Sequence, residues 1–350
     1  MMNPDISAPL VEFEFTALHD INAIATDRIL SLHCIGAAAL ASASRSATQR
    51  IPMPVLNDDN GLLYEAWSSA KNHRAGKFQD IAFRATDTVL FGVIEIDEST
   101  LGLENGESTL RTAAEIAYRQ IFSLLDAENF MHLWRAWNYL PDIHAEECGL
   151  ERYRQFNLGR HHAFISCNRP ADNSPAASAL GISKGPFSIA FIAGRQAPTR
   201  IENPRQVSAF AYPIEYGPRS PTFTRAMAVI NGACETLFIS GTASIVGHNT
   251  VHRDDVIAQT REIIANLSAL LEQANRRNRS VHSLKDLIYR VYIRHANDYP
   301  RVRQTLDALI GDSIHSIYVQ ADICRQDLLI EIEAFASKPL LFASKPNANG

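Results

Sequence analysis

No stretch of this sequence approaches the roughly 20 consecutive apolar residues that span a bilayer. None carries a long run of one charge either. The formal net charge is −5, so the broad basic surface that nucleic-acid binding requires is missing. Paired cysteines are absent too. The five present (Cys34, Cys148, Cys167, Cys234 and Cys324) are scattered without a C-x-x-C spacing, which fits reduced thiols in a cytoplasmic protein. There is no G-x-G-x-x-G and no phosphate-cradling P-loop, so no nucleotide cofactor is indicated. No G-x-S-x-G nucleophile elbow is found. The opening "MMNPDISAPLVEFEF" is acidic and lacks the parts of a signal peptide. His248 and His252 stand four apart, but the Asn and Thr between them favour a loop, and no third ligand has metal-site spacing. Neither a metal nor a cofactor is expected.

What is present is enough apolar material, 46% of 350 residues, for one large domain or two ordinary ones. In the C-terminal half, apolar residues at 256, 257, 263, 264, 267, 270 and 271 predict a helix within residues 253–277. Asp254 and Asp255 favour its start. "YPRVRQTLDALIG" (residues 299–311) is a short helix that opens with Pro and closes with Gly. Residues 236–247, 286–295, 315–323 and 328–336 read as strands, the last two joined by the hairpin-length link "CRQD". The order is β–α–β–α–β–β, with two helices on one face of a sheet and the other face in need of different cover.

The N-terminal half repeats that order. It has strands at 88–97, 132–143 and 187–194, a helix at 108–126 and a short helix at 150–159. The chain therefore reads as a duplication of one α/β module, spanning residues 1–205 and 206–350. The two meet near the polar, proline-containing "RQAPTRIENPRQ" (residues 195–206). The small-residue stretch at 36–47 reads as a loop or a closely packed segment.

One strand poses a question. In "LLIEIEAFAS" (residues 328–337), alternation puts Leu328, Ile330, Ile332 and Ala334 on one face, and Leu329, Glu331, Glu333 and Phe335 on the other. Two carboxylates on one face of an apolar strand mark either a solvated surface or a site. In a site, burial would favour the neutral, proton-donating form.

The stretches "YGPRSPTFTRA" (216–226), "LFISGTASI" (237–245), "AQTREIIANLSALLEQA" (258–274) and "LLIEIEAFA" occur in the order of the Rid (YjgF-type) deaminases, and the second half resembles that family. It departs where deaminase chemistry sits. Ser316 stands for the family's arginine, and Arg219 for the tyrosine of "GPYS". Across both halves the chain more closely resembles the chorismatases, two-module relatives of the Rid fold. The carrying stretches are "WNYLPDIH" (137–144), "LERYRQFNLGRHHAF" (150–164), "NPRQVSAFAYPIEYGPRSPTFTRA" (203–226), "ISGTASIVGH" (239–248) and "CRQDLLIEIEAF" (324–335).

This resemblance implies an α/β (α+β) fold of two tandem Rid/YjgF-like modules. Each is a mixed sheet with two helices packed on one face, and the site lies in the cleft between them. It implies conversion of chorismate to pyruvate and 3-hydroxybenzoate, with or without 4-hydroxybenzoate. In that family a cysteine at the place of Cys324 accompanies the aromatic products. The alternatives are the hydrolytic branch, which gives a dihydroxycyclohexadiene carboxylate, a Rid-type imine deaminase, and a non-catalytic ligand-binding protein. Rid modules trimerise, so monomer and homotrimer both stay open.

By the same resemblance Glu331 is the acid that protonates the enolpyruvyl ether. Chorismate is a dianion, and guanidinium forks match carboxylates. Arg219 ranks first as a clamp, because Gly217, Pro218 and Pro221 fix its turn; Arg160 and Arg225 follow. Tyr139, Tyr153 and Tyr212 are candidates for lining the ring, against ordinary core packing. Gly241, in the turn "GTAS", allows close backbone approach. The size of Ala243 or Ser244 would control water access. Which of the two faces the site, and what Glu333 does, the sequence leaves open.

Overall fold

The computed structural model describes residues 12–42, 47–58, 62–102, 107–277 and 279–340. Four strands come first: Glu14–Leu18 (β1), Ile29–Ile35 (β2), Thr48–Ile51 (β3) and Leu63–Ser68 (β4). They form their own sheet in the order β1-β4-β2-β3. Arg74–Phe78 (β5), Ile81–Ala85 (β6) and Val89–Ile96 (β7) precede helix Thr109–Ala127 (α1) and strand His132–Pro141 (β8). The short pair Glu146–Glu147 (β9) and Leu150–Glu151 (β10) leads into helix Arg152–Ser166 (α2), then Ala176–Ile182 (β11) and Phe187–Gly194 (β12). The second half holds Thr199–Ile201 (β13), Ala226–Asn231 (β14), Cys234–Ala243 (β15), the short pair Ile245–Val246 (β16) and Asn249–Thr250 (β17), and helix Val256–Arg277 (α3). Ile288–Ile293 (β18), helix Tyr299–Ile310 (α4), His315–Gln320 (β19) and Ile330–Pro339 (β20) complete it.

The two six-stranded sheets have orders β11-β8-β12-β7-β6-β5 and β13-β14-β15-β20-β18-β19. Read from β11 and from β19, they coincide place by place. In each, the edge strand runs parallel to its neighbour. A crossover helix, α2 or α4, makes that parallel pairing possible. Helices α1 and α2 bury Ala113, Tyr118, Leu125 and Phe156 against Leu90, Ile94 and Ile189 of the first sheet. Helices α3 and α4 do the same with Ile263, Leu267 and Leu306 against Ile239, Val291 and Ile332. The duplication expected from the sequence is thus present strand by strand.

The faces turned away from the helices meet each other, and the N-terminal sheet closes the remaining side. Phe13 and Trp67 stack edge-on with centroids 5.7 Å apart, and Trp67 reaches Phe335 at 5.0 Å. Phe91 and Phe238 join them from the two large sheets. This third sheet was not expected, because its short strands sit in loop-rich sequence with little periodicity. The stretch at 36–47 falls here; residues 43–46 of it lie outside the described residues.

Other differences have local causes. Helix α2 runs on to Ser166 rather than stopping at residue 159. Gly159 reads as a stop signal, but it is a contact glycine. A Cβ there would lie 2.0 Å from the Arg111 carbonyl oxygen of α1. Strands β19 and β20 do not form a hairpin; both flank β18, so the "CRQD" link is part of a crossing between residues 321 and 329. Strand β20 begins at Ile330, and Leu328 before it packs in the inter-sheet core rather than under the helices. Strand β13 pairs with β14, so the chain changes sheet between Gly194 and Thr199, ahead of residue 206. Among the described residues no helix is long and apolar enough to cross a membrane.

Candidate active site

Between the two modules lies a cavity of about 570 Å³. Tyr153, Asn157 and Arg160 of α2 and Ala177, Ser178 and Ala179 of β11 form one wall. Tyr212, Arg225, Gly241, Ala243, Glu331 and residues 324–327 form the other. The outer edge of β11 is tied to the second module by backbone and hydroxyl groups. Gly181 N donates to the Asp322 oxygen at 2.8 Å, Ala177 N to Ser240 Oγ at 2.8 Å, and Thr224 N to the Pro175 oxygen at 3.0 Å. Those ties set the width of the cleft.

Glu331 stands opposite Ala243 of β15 and Tyr292 of β18. Its residue is 4% exposed. Burial pushes its carboxyl up to about 8, the negative charge of Glu333 adds to that, and Arg135 and Arg225 oppose it. The group is therefore protonated at neutral pH. Gly241 is what lets it point into the cavity. A Cβ at that position would lie 1.9 Å from Glu331 Oε1. The "GTAS" segment is not a turn but the end of β15, where pairing with β20 shifts register between Ile239 and Thr242. Gly241 is outside the left-handed region, so it supplies room rather than an unusual torsion.

Glu333 shares that face but does not line the cavity. Its Oε2 accepts from Arg135 Nη2 at 2.6 Å, and its Oε1 from Trp137 Nε1 at 2.9 Å. Arg290 Nη1 lies 3.0 Å from Oε1. Arg290 also pairs with Glu65 and donates to Tyr139 Oη at 2.6 Å. Burial disfavours the Glu65 anion, but Arg290 and His33 outweigh it and hold the carboxyl at about 2. Tyr139, expected at the ring, belongs to this buried network instead. It is fully buried and bonds Tyr292 Oη at 3.0 Å. Strand alternation from Trp137 aims it at the inter-sheet core.

Of the arginines, Arg160 fits best. Its guanidinium lies over the Tyr118 ring at 4.9 Å and near Phe156 and Phe164. It is 2% exposed, yet Nε and Nη2 have no hydrogen-bond partner among the described residues. Burial pulls its pKa down from the ordinary value. A desolvated cation with free donors at a cavity is a receptor for an anion. Arg225 Nη2 donates to the Val207 oxygen and to Tyr212 Oη, both at 2.8 Å, and leaves Nε free. Arg219, ranked first from the sequence, is exposed and outside the cavity. Its turn does matter: Pro221 and Phe223, just beyond it, line the wall.

Tyr153 and Tyr212 both line the cavity, and burial, with the Cys324 and Glu331 groups adding, pushes the Tyr153 phenol up. Ala243 lines it as well. Ser244 turns away and donates to the Val251 oxygen at 2.9 Å. Cys324 Sγ lies 4.0 Å from Glu331 Oε2. Burial and that carboxyl push its thiol up to about 12, so it is a neutral thiol rather than a thiolate. His248 and His252 have separate partners, Tyr216 Oη at 3.3 Å and Glu262 Oε2 at 3.3 Å. Among the described residues no cluster suits a metal ion.

Both halves of this arrangement match known sequences. The family described as "Chorismatase FkbO/Hyg5-like, N-terminal" matches residues 65–193, and that described as "Endoribonuclease L-PSP" matches residues 222–338. A chorismatase of Streptomyces hygroscopicus is 32% identical over 338 residues, covering 95% of each chain. The chain belongs to the chorismatase family. A 3-hydroxybenzoate synthase of the same organism is 36% identical over 231 residues, 63% of this chain and 68% of that one. The crystal structure of a chorismatase superposes with a TM-score of 0.82 at 30% identity, covering 95% of this chain and 100% of the other.

Within this chorismatase cleft, several lining residues were not anticipated: Asn157, Ser178 and Arg325. Asn157 shares a helix face with Tyr153 and Arg160, at spacings of four and three. Carrying α2 past residue 159 would have kept that face in view. Arg325 follows Cys324 directly, in the link that has hairpin length in the sequence. Its guanidinium lies 4.0 Å from the Tyr216 ring centroid, and its Nη1 donates to the His248 oxygen at 2.9 Å. Ser178 carries no signal in the sequence.

Proposed function

We propose that the chain converts chorismate to pyruvate and 3-hydroxybenzoate, with Glu331 as the proton donor. The observation that carries this reading is a neutral, buried carboxyl lining a cavity walled by arginines with unused donors. Arg160 and Arg225 take the two carboxylates of the substrate. Glu331 delivers its proton to the methylene carbon of the enolpyruvyl group, and the ether carbon becomes an oxocarbenium ion. The neighbouring ring hydroxyl then displaces the ether oxygen at the ring carbon. Pyruvate leaves as the ketone, an epoxide forms on the ring, and the hydroxyl proton returns to the Glu331 carboxylate. Opening of the epoxide and loss of a ring proton give the hydroxybenzoate. The Cys324 thiol, neutral and beside Glu331, can donate to the epoxide oxygen as it opens. Ala243 and the packed β11 wall keep water from the cation. Incubating pure protein with chorismate and separating the products tests the reading. Pyruvate and 3-hydroxybenzoate in equal amounts are expected; no pyruvate would sink it, and a non-aromatic diol would correct the product.

A further inference from the structure

One polar group in the cleft has no part in the steps above. The Asn157 residue is 3% exposed and lines the cavity, and neither Oδ1 nor Nδ2 has a hydrogen-bond partner among the described residues. Its polar neighbour is the Tyr153 phenol. That phenol is near enough for the amide to ease its ionisation, but the pair does not reach hydrogen-bond geometry.

A buried amide left this way needs an acceptor for Nδ2 and a donor for Oδ1 together. A carboxylate satisfies the first and sets a lone pair against the second. Carboxylates are also better served three residues on, by the free Nε and Nη2 of Arg160. A hydroxyl satisfies both amide atoms. Chorismate, with its carboxylates ionised, has two carboxylates, an enol ether and one alcohol. Its ring hydroxyl is then the only group that can donate to Oδ1.

We propose that Asn157 reads the ring hydroxyl of the bound substrate and orients the oxygen that displaces the ether, the hydroxyl hydrogen turning from Oδ1 to the Glu331 carboxylate as the ether bond breaks. The assignment rests on the chorismate reading, and Asn157 acts as a specificity residue, with no proton of its own to transfer. The test uses two unreactive ligands, chorismate with its side-chain methylene saturated and the same compound with hydrogen in place of the ring hydroxyl. Dissociation constants are measured on the wild type and on Asn157→Leu, which keeps the volume and removes both polar atoms. The wild type is expected to prefer the hydroxylated ligand by about 10- to 100-fold, the cost of leaving a buried amide unpaired. In Asn157→Leu that preference is expected to fall to about twofold or less, with the affinity for the hydrogen analogue retained. A wild-type preference below about tenfold, or one that survives in Asn157→Leu, overturns the assignment. If Asn157→Leu does not fold, the wild-type ratio decides alone. Pyruvate release from chorismate is followed in parallel. Its absence removes the reaction, whereas release with an unaltered preference removes only the role of Asn157.

Discussion

Glu331 and Glu333 leave β20 on the same face, two residues apart, and the fold gives them opposite surroundings. Glu333 is gripped by Arg135, Arg290 and Trp137. Glu331 has no ion-pair partner among the described residues and faces the cavity. Burial keeps the proton on Glu331, and the nearby Glu333 carboxylate adds to that.

Glu331→Gln keeps the shape and removes the acid. Initial rates of pyruvate release are expected to fall about 10²–10⁴-fold in kcat, the usual worth of general acid catalysis, with KM little changed. Retention of more than about a tenth of the rate would remove Glu331 from the mechanism.

The pH profile has a definite sign. Protonated Glu331 is the active form, so kcat/KM is expected to fall as pH rises through about 8. Stability moves the same way. The folded carboxyl holds its proton up to about 8, against 4.5 when exposed. Its stabilising contribution is therefore full below 4.5 and lost as pH rises through 8. Glu331→Gln escapes that loss. Thermal melts are expected to show its advantage over the wild type growing from about pH 5 to about pH 9.

Gly241→Ala puts a carbon where Glu331 Oε1 now lies. Either the carboxyl or β15 must move. Activity is expected to drop toward that of Glu331→Gln, with about 1–3 kcal/mol lost in urea unfolding. Wild-type rates in this variant would show that the carboxyl does not need its present position.

Arg160→Met and Arg219→Ala separate the buried clamp from the exposed arginine. The first is expected to raise KM by about 10- to 100-fold, as for a lost charged hydrogen bond. The second, being exposed, is expected to leave KM within about twofold. Equal effects would return Arg219 to the site.

Glu333→Gln leaves Arg135 and Arg290 short of a counter-charge in the core. Breaking a buried pair from one side costs about 3–5 kcal/mol, measurable in urea. Folded protein should also show the alkaline limb of its activity moved to lower pH, since the charge that helps hold the Glu331 proton is gone.

Periodicity carried much of the fold. Helices α1, α3 and α4 and strands β8, β12 and β18 stand close to where their patterns predict, and the repeated order predicts the duplication. The third sheet escaped because strands such as β1 are largely exposed and short. Of the side chains that line the cavity, those of rare chemistry were legible in the sequence: Glu331, Cys324, Arg160 and Arg225. A residue type, however, says nothing of direction. Arg219 and Tyr139 look as suitable as Arg160 and Tyr153, but one turns to solvent and the other into the Arg290 network. Ala243 and Ser244 were separable only once the register of β15 against β20 was known.

Residues on both sides of the cleft belong to one polypeptide, bridged by the short passage from Gly194 to Thr199. A cleft formed between separate subunits empties as the protein is diluted, because its walls part by mass action. Here the covalent connection holds the two walls at a fixed effective concentration. Activity per molecule is accordingly expected to follow the folding of a single chain, and to stay constant down to concentrations at which any assembly has come apart.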